Sequence, residues 1–161
     1  MKNLLALTVL SFSLSAGDLV TYQQMSLELA TKIAQDSLMN CRDKGYQVSA
    51  VVVDRSGNLQ VALRDVYASR FTTEIAERKA NAVILSGTDS GALRKNREDI
   101  RQELNHIHGL IVMEGGVPVI SNGILLGAVG VSGAPGGDKD ASCAEAALKN
   151  VEDRLIFAGT E

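Results

Sequence analysis

Apolar residues recur at helical spacing in the segment that covers residues 20–44. The positions that fall on one face are Leu29, Ile33, Leu38 and Cys41. Because this spacing is close to the helical repeat, it predicts a long amphipathic helix. Gly45 follows its end, where a left-handed residue commonly closes a helix.

The pattern then changes to that of β-strands. A β-branched run at residues 48–53, the turn sequence DRSGN and an apolar run at residues 59–63 predict one hairpin. A second hairpin is predicted at residues 117–131, because Asn-Gly between apolar runs is the strongest short-range hairpin signal. A further short strand is expected at residues 110–113, leading into this second hairpin.

Helical patterns occupy the rest of the chain. One helix is expected to end near residue 86, a second to begin at residues 88–90, and the last to begin near Asp138 or Asp140. Hairpins imply an antiparallel sheet, and helices on its faces imply an α+β layered fold. Since no repeat or linker is evident, residues 18–161 are predicted to form a single domain.

The first 17 residues differ from the rest of the chain. Lys2 is the only charged residue before Asp18, and a mostly apolar run of eleven residues from Leu4 to Leu14 precedes small residues. This is the layout of a secretory signal peptide, and the run is too short to span a bilayer. A buried first helix or strand is the alternative. We expect a mature chain that is periplasmic or secreted, without membrane insertion.

Charge and cysteine content refine this prediction. The formal net charge is −3 and no basic run is present, which argues against nucleic acid as a partner. Cys41 and Cys143 both belong to the predicted mature chain, where an oxidising compartment would allow a disulfide. Two separate buried thiols, or metal ligands, are the alternatives.

The glycine-rich loop GVSGAPGG does not match a nucleotide-binding motif. It lacks the Gly-Lys-Ser/Thr ending of a Walker A loop and has no G-x-G-x-x-G spacing. Gly127, Gly130 and Gly133 allow another backbone or a flat ligand to approach closely. Packing and turning alone would also explain these glycines.

Several motifs together resemble a known family. They are VVVDRSGNL, Arg64-Asp65, the helix sequence ERKA, and GGVPV…NG…LGAVGVSGAPGGDKDASCAEA. They are similar to the GlcG/HbpS-like heme-binding family, which includes the glycolate-operon G proteins and the C-terminal domain of the cobalamin adenosyltransferase PduO. The resemblance covers residues 48–155 and is greatest for the exported branch, in which two cysteines match Cys41 and Cys143.

The resemblance implies a fold, an assembly and a ligand. The family fold is a five-stranded antiparallel sheet flanked by helices, similar to the profilin-like layer architecture. Members form homo-oligomers, and some bind heme or have been linked to iron handling. The chain is therefore expected to be an exported homo-oligomer that binds heme or another flat small molecule, with a role in heme or iron handling or sensing.

Candidate partners for the heme propionates are Arg64, Arg70 and Lys79. A guanidinium can hold a carboxylate through two hydrogen bonds, and a lysine supplies a compact charge. The alternative for Arg64 and Lys79 is an internal ion pair with Asp65 or Glu77. The glycines expected to form a backbone surface for the ligand are Gly115, Gly116, Gly130 and Gly133.

Candidate axial ligands are His106, His108, Met113 and the tyrosines. If the sequence NHIHG is extended, the two imidazoles share a face and can reach one metal. If it is a helix end, they diverge and meet solvent or cap carbonyls.

Two other functions remain open from the sequence. Asp54, Asp65 and Lys79 could supply acid–base chemistry for a small carbonyl substrate, with glycine amides as an oxyanion site. An accessory oligomer without a ligand is the other alternative, with the glycine loop used for subunit packing.

Overall fold

Four strands form one antiparallel sheet in the computed structural model, which describes residues 22–157. They are β1 (Ser49–Asp54), β2 (Leu59–Arg64), β3 (Gly116–Ser121) and β4 (Ile124–Ser132). The order across the sheet is β2-β1-β4-β3, so β1 and β4 are central. Both predicted hairpins are present, as β1–β2 and β3–β4. The expected signal peptide at residues 1–17 lies outside the described residues.

The strand predicted at residues 110–113 is absent from the sheet. The five-stranded sheet implied by the family resemblance is therefore wrong for the described residues, which form four strands. The Ile111 amide donates to the Arg78 carbonyl, and the Val112 amide donates to Asn105 Oδ1 at 2.7 Å. Because a helix and a side chain take up these amides, they cannot form a strand ladder. The segment packs the buried Val112 beneath a helix instead.

Six α-helices surround the sheet within residues 22–157. They are α1 (Leu27–Arg42), α2 (Phe71–Ser86), α3 (Ser90–Asn96), α4 (Arg101–Asn105), α5 (Gly137–Asn150) and α6 (Glu152–Ile156), with a 3₁₀ turn at Glu98–Ile100. Ser26 caps α1 by accepting a hydrogen bond from the Leu29 amide, so this helix begins later than its apolar pattern predicts. Asp89 caps α3 through the Ala92 amide.

The two faces of the sheet are covered by different helices. Ala50 and Val52 of β1 pack in the core beneath α1 and α5, whereas Val51 and Val53 pack beneath α2. Burial on both faces explains why β1 reads as a continuous apolar run, without polar alternation. α2 lies over β1, β4 and β3 and leaves β2 largely uncovered.

A disulfide joins Cys41, at the end of α1, to Cys143 in α5. The predicted pairing is therefore present in the structure. Both cysteines are fully buried in the core. Among the described residues, no helix has the length and apolar character needed to cross a membrane.

Candidate functional site

Two glycines of the predicted ligand surface lie directly beneath α2. A Cβ on Gly130 would collide with the carbonyl oxygen of Ala76, and one on Gly116 would collide with that of Lys79. Glycine at these positions allows the helix backbone to approach β3 and β4 closely. The space above Gly116 and Gly130 is therefore filled by the chain itself.

The other two predicted glycines also contact the chain. A Cβ on Gly115 would lie 2.7 Å from Lys79 Nζ, and one on Gly133 would lie 2.6 Å from the Gln47 carbonyl oxygen. Both glycines have positive φ angles, +125° and +133°, in the region that glycine favours. All four glycines thus serve packing between the sheet and its neighbours.

Lys79 is buried inside the protein, with 2% of its surface exposed. Its ammonium donates to Asp140 Oδ2 at 2.8 Å and to the Val131 carbonyl at 3.0 Å. An internal ion pair therefore forms, as in the alternative from the sequence, but with Asp140 in place of Asp65 or Glu77. In this arrangement the Lys79 side chain does not reach the surface, where a propionate would bind.

Burial also affects the carboxylate of this pair. The pKa of Asp140 is raised because burial disfavours its charged form, while attraction to Lys79 and a hydrogen bond from the Ala134 amide oppose the shift. Each charge therefore depends on its partner for compensation inside the fold. The pair holds α2, β4 and the start of α5 together.

Asp65 belongs to a second, separate ion pair. Its carboxylate accepts hydrogen bonds from Arg42 of α1 and from the Val48 amide at 3.4 Å. Asp54 is the last residue of β1, and its carboxylate accepts hydrogen bonds from amides of the β1–β2 turn. The structure therefore does not bring Asp54, Asp65 and Lys79 into one pocket, as an acid–base site would require.

Strand β2 presents exposed residues on the side of the sheet that carries α2. The register places Leu59 and Ala62 opposite Val53 and Val51, which point toward α2. Because α2 does not extend over β2, Leu59 and Ala62 are exposed. We call these two residues, together with exposed residues at the end of β2 and in the segment that follows it, the β2 shelf. Its members are Leu59, Ala62, Arg64, Val66, Tyr67, Arg70 and Phe71.

A braced turn forms one end of the β2 shelf. The Ala68 amide donates to the Asp65 carbonyl at 3.0 Å, and Arg64 Nη1 donates to the carbonyls of both residues. At the centre of the turn, Val66 is 76% exposed and Tyr67 is 85% exposed. Large exposed side chains on a fixed backbone are typical of a binding surface.

Two arginines are positioned within this surface. Arg70 stacks over the ring of Phe71, with its guanidinium carbon 4.4 Å from the ring centre, and Phe71 is 56% exposed. Arg64 braces the turn through Nη1 alone. Its Nε and Nη2 atoms have no hydrogen-bond partner within residues 22–157. Both predicted propionate partners other than Lys79 are therefore exposed, in a segment that also carries exposed apolar side chains.

The two histidines lie at and just after the end of α4, away from the β2 shelf along α2. His106 caps the C-terminus of α4 and His108 follows in a turn, so this segment is a helix end and both side chains are exposed. The turn rests on α2, where Asn81 Nδ2 donates to the Gly109 carbonyl at 3.2 Å. Asn81 is about 15 Å along the helix axis from Phe71. Within the described chain, no group of three or more His, Cys, Asp or Glu side chains could hold a metal ion.

The sequence did not single out the exposed apolar part of the β2 shelf. The missed residues are Leu59, Ala62, Val66 and Phe71, and Tyr67 was one of several axial candidates. The available signal was the apolar pair Val66-Tyr67, which lies between Arg64-Asp65 and Ser69-Arg70 in a segment with turn character. Asp140 was missed as the partner of Lys79 because 61 residues separate them along the chain.

A family model described as "Haem degrading protein HbpS-like" matches residues 25–149. The chain belongs to the HbpS-like family. This confirms the family resemblance recognised in the sequence motifs. Among curated proteins, none matches the chain significantly.

Solved structures of HbpS-like proteins share the fold. A crystal structure of HbpS is 34% identical with a TM-score of 0.79, covering 87% of this chain and 99% of HbpS. A double mutant of Streptomyces reticuli HbpS is 31% identical with a TM-score of 0.79, covering 89% of this chain and 98% of that one. The protein ORFY of Klebsiella pneumoniae is 26% identical with a TM-score of 0.76, covering 83% and 94%. The α+β architecture is therefore that of the HbpS-like family.

Proposed function

We propose that this HbpS-like chain is an exported heme-binding protein and that heme binds on the β2 shelf. The observation that carries the proposal is the combination of exposed apolar side chains with two exposed arginines in β2 and the segment that follows it. A protein with the same fold, 20% identical with a TM-score of 0.69, has been crystallised as the PduOC:heme complex, which supports testing heme first. A role in heme or iron handling or sensing follows as part of this proposal.

The residues present fit the chemistry of heme. A porphyrin needs an apolar surface, which Leu59, Ala62 and Val66 provide. Its two propionates need cations at the edge of that surface. Arg64 and Arg70 are suitable because a guanidinium can hold a carboxylate through paired hydrogen bonds.

Heme would supply the iron chemistry, and the protein residues would supply binding and orientation. Bound heme supplies an iron centre with ligand-exchange and electron-transfer chemistry. The protein residues would bind the porphyrin, orient it through its propionates and shield one of its faces from water. His106 and His108, on the turn over Asn81, form the competing iron site.

A hemin titration tests the proposal. The wild-type protein should shift the Soret absorption band saturably, and Arg64→Gln/Arg70→Gln should weaken hemin binding roughly tenfold or more. Arg94→Gln, an exposed arginine on α3, is the matched control and should bind like the wild type. Absence of a saturable shift in the wild type would refute heme binding. A loss confined to His106→Ala/His108→Ala would place heme on the competing site.

Export is the second part of the proposal. A buried disulfide within residues 22–157 suits an oxidising compartment, and the first 17 residues have the layout of a signal peptide. Expression of the full chain followed by fractionation and intact-mass measurement should give an extracytoplasmic protein beginning at Asp18. A cytoplasmic product that retains Lys2 would contradict export.

Assembly into a homo-oligomer is the third part. The outer edge of β2 has no partner strand among the described residues, and such an edge can pair with another chain. Light scattering during size-exclusion chromatography should give a mass of at least two chains, and a mass equal to one chain would contradict assembly. An oligomer that shows no saturable hemin binding would favour the accessory-oligomer alternative.

A further inference from the structure

The three tyrosines of the chain have different surroundings. The Tyr22 hydroxyl accepts a hydrogen bond from Gln24 at 3.3 Å, and the Tyr22 ring lies beneath Arg55. Tyr46 is partly buried against the core beneath α1 and α5. Tyr67 is 85% exposed, and its hydroxyl has no partner within residues 22–157. Tyr67 alone among them combines an accessible oxygen with a position on the β2 shelf.

The backbone that carries Tyr67 is fixed on both sides. Asp65 is buried and bound by Arg42, and Ala68 is buried and bound by the Arg64 guanidinium. The exposed ring is therefore presented by a rigid turn, and little backbone ordering is needed when a ligand binds. Such preorganisation lowers the entropic cost of binding.

The flanking charges complement an anionic porphyrin. Arg64 and Arg70 lie three residues before and three residues after Tyr67, so cations bracket the phenol along the chain. Ferric iron is a hard cation for which a phenolate oxygen is a suitable ligand, and tyrosine is one of the protein ligands of heme iron.

We propose that Tyr67 is the protein ligand to ferric heme iron; this inference rests on the proposed heme function. On binding, the phenol O–H bond breaks and its proton leaves to solvent. The phenolate oxygen would then donate an electron pair to iron in place of the bound water or hydroxide, which leaves to solvent, and no oxidation state changes. Because a phenolate stabilises the ferric form, the site selects ferric over ferrous heme.

Spectroscopy of Tyr67→Phe and Tyr22→Phe tests this assignment. Hemin bound to the wild type should show the phenolate-to-iron charge-transfer band, seen in absorption and in resonance Raman phenolate modes. Tyr67→Phe should lose this signature and bind hemin roughly ten- to a hundredfold more weakly. Tyr22→Phe, a matched change of another exposed tyrosine, should behave like the wild type. Reduction of wild-type heme with dithionite should weaken binding, and this redox dependence should disappear in Tyr67→Phe.

The outcomes separate the inference from the function on which it rests. Saturable wild-type binding without a phenolate signature, or a signature retained in Tyr67→Phe, would overturn the assignment of Tyr67 while heme binding stands. No saturable binding by the wild type would overturn the proposed function and, with it, this inference. Because Tyr67 is exposed, circular dichroism melting of Tyr67→Phe should match the wild type, which makes a folding defect distinguishable from ligand loss.

Discussion

The Lys79 ammonium lies 2.8 Å from the Asp140 carboxylate, and both side chains are shielded from solvent. This contact joins α2 to the start of α5 across the end of β4. Lys79, which the sequence suggested as a partner for a heme propionate, is thus buried in the protein interior. Its removal should be detected as a loss of stability.

Substitution of one partner of this pair should destabilise the fold strongly. Lys79→Met leaves the Asp140 charge buried without compensation, so the free energy of unfolding should fall by about 3–5 kcal/mol. Urea denaturation followed by circular dichroism measures this loss. The double variant Lys79→Met/Asp140→Leu should recover part of it.

The exposed ion pair Arg97–Asp99 supplies the control for this prediction. Arg97→Ala should leave the urea midpoint nearly unchanged, because exposed ion pairs contribute little. Equal midpoints for Lys79→Met and the wild type would show that the buried pair does not stabilise the fold.

Gly130→Ala should separate α2 from the sheet. The added Cβ meets the Ala76 carbonyl, so the free energy of unfolding should fall by about 3 kcal/mol or more. Gly45→Ala is a useful comparison because it has a φ of +80° but no atom within 4 Å of an added Cβ. Its loss should be about 1 kcal/mol, from backbone strain alone. Similar losses at the two positions would argue against a steric role for Gly130.

Reduction of the disulfide should lower stability. The link spans 102 residues, and the chain-entropy model gives about 4–5 kcal/mol for such a loop. Urea midpoints with and without reductant measure the effect. Cys41→Ala/Cys143→Ala is the control, and its midpoint should not respond to reductant. An intact mass showing two free thiols in the exported protein would contradict the link.

Acid should remove a contribution to stability from the β1–β2 turn. Burial acts to raise the pKa of Asp54, but hydrogen bonds from Asn58, Ser56 and Gly57 outweigh it, so this pKa is lowered. The stabilisation is therefore fully present above the unfolded pKa, near 3.9, and is lost as pH falls through the folded pKa. The difference in unfolding free energy between wild type and Asp54→Asn should shrink as pH falls from about 5 to about 2.

Asp43→Asn, in an exposed turn after α1, controls for the loss of one negative charge. A difference between wild type and Asp54→Asn that stays constant over the same pH range would contradict the role of the Asp54 hydrogen bonds.

Local patterns predicted most of the fold. The Asn-Gly turn gave the β3–β4 hairpin, and the β-branched run gave β1, because turn chemistry and burial depend on nearby residues. The strand predicted at residues 110–113 failed because its amides bond to Arg78 and Asn105, which a local pattern cannot reveal.

The candidate site depended on contacts between distant parts of the chain. Arg64 and Arg70 were nominated from the sequence, and both side chains are exposed in the structure. The position of Lys79 could not be predicted in the same way, since its partner Asp140 lies on another helix. Likewise, the exposure of β2 results from the placement of α2 over the other strands, which is a property of the tertiary packing.

The position of iron in a hemin-bound crystal tests the central claim most directly. Anomalous diffraction at the iron edge should give a peak beside Tyr67 on the β2 shelf, with density for the propionates at Arg64 and Arg70. A peak at the His106–His108 turn, or one remote from both arginines, would contradict the β2 shelf as the heme site.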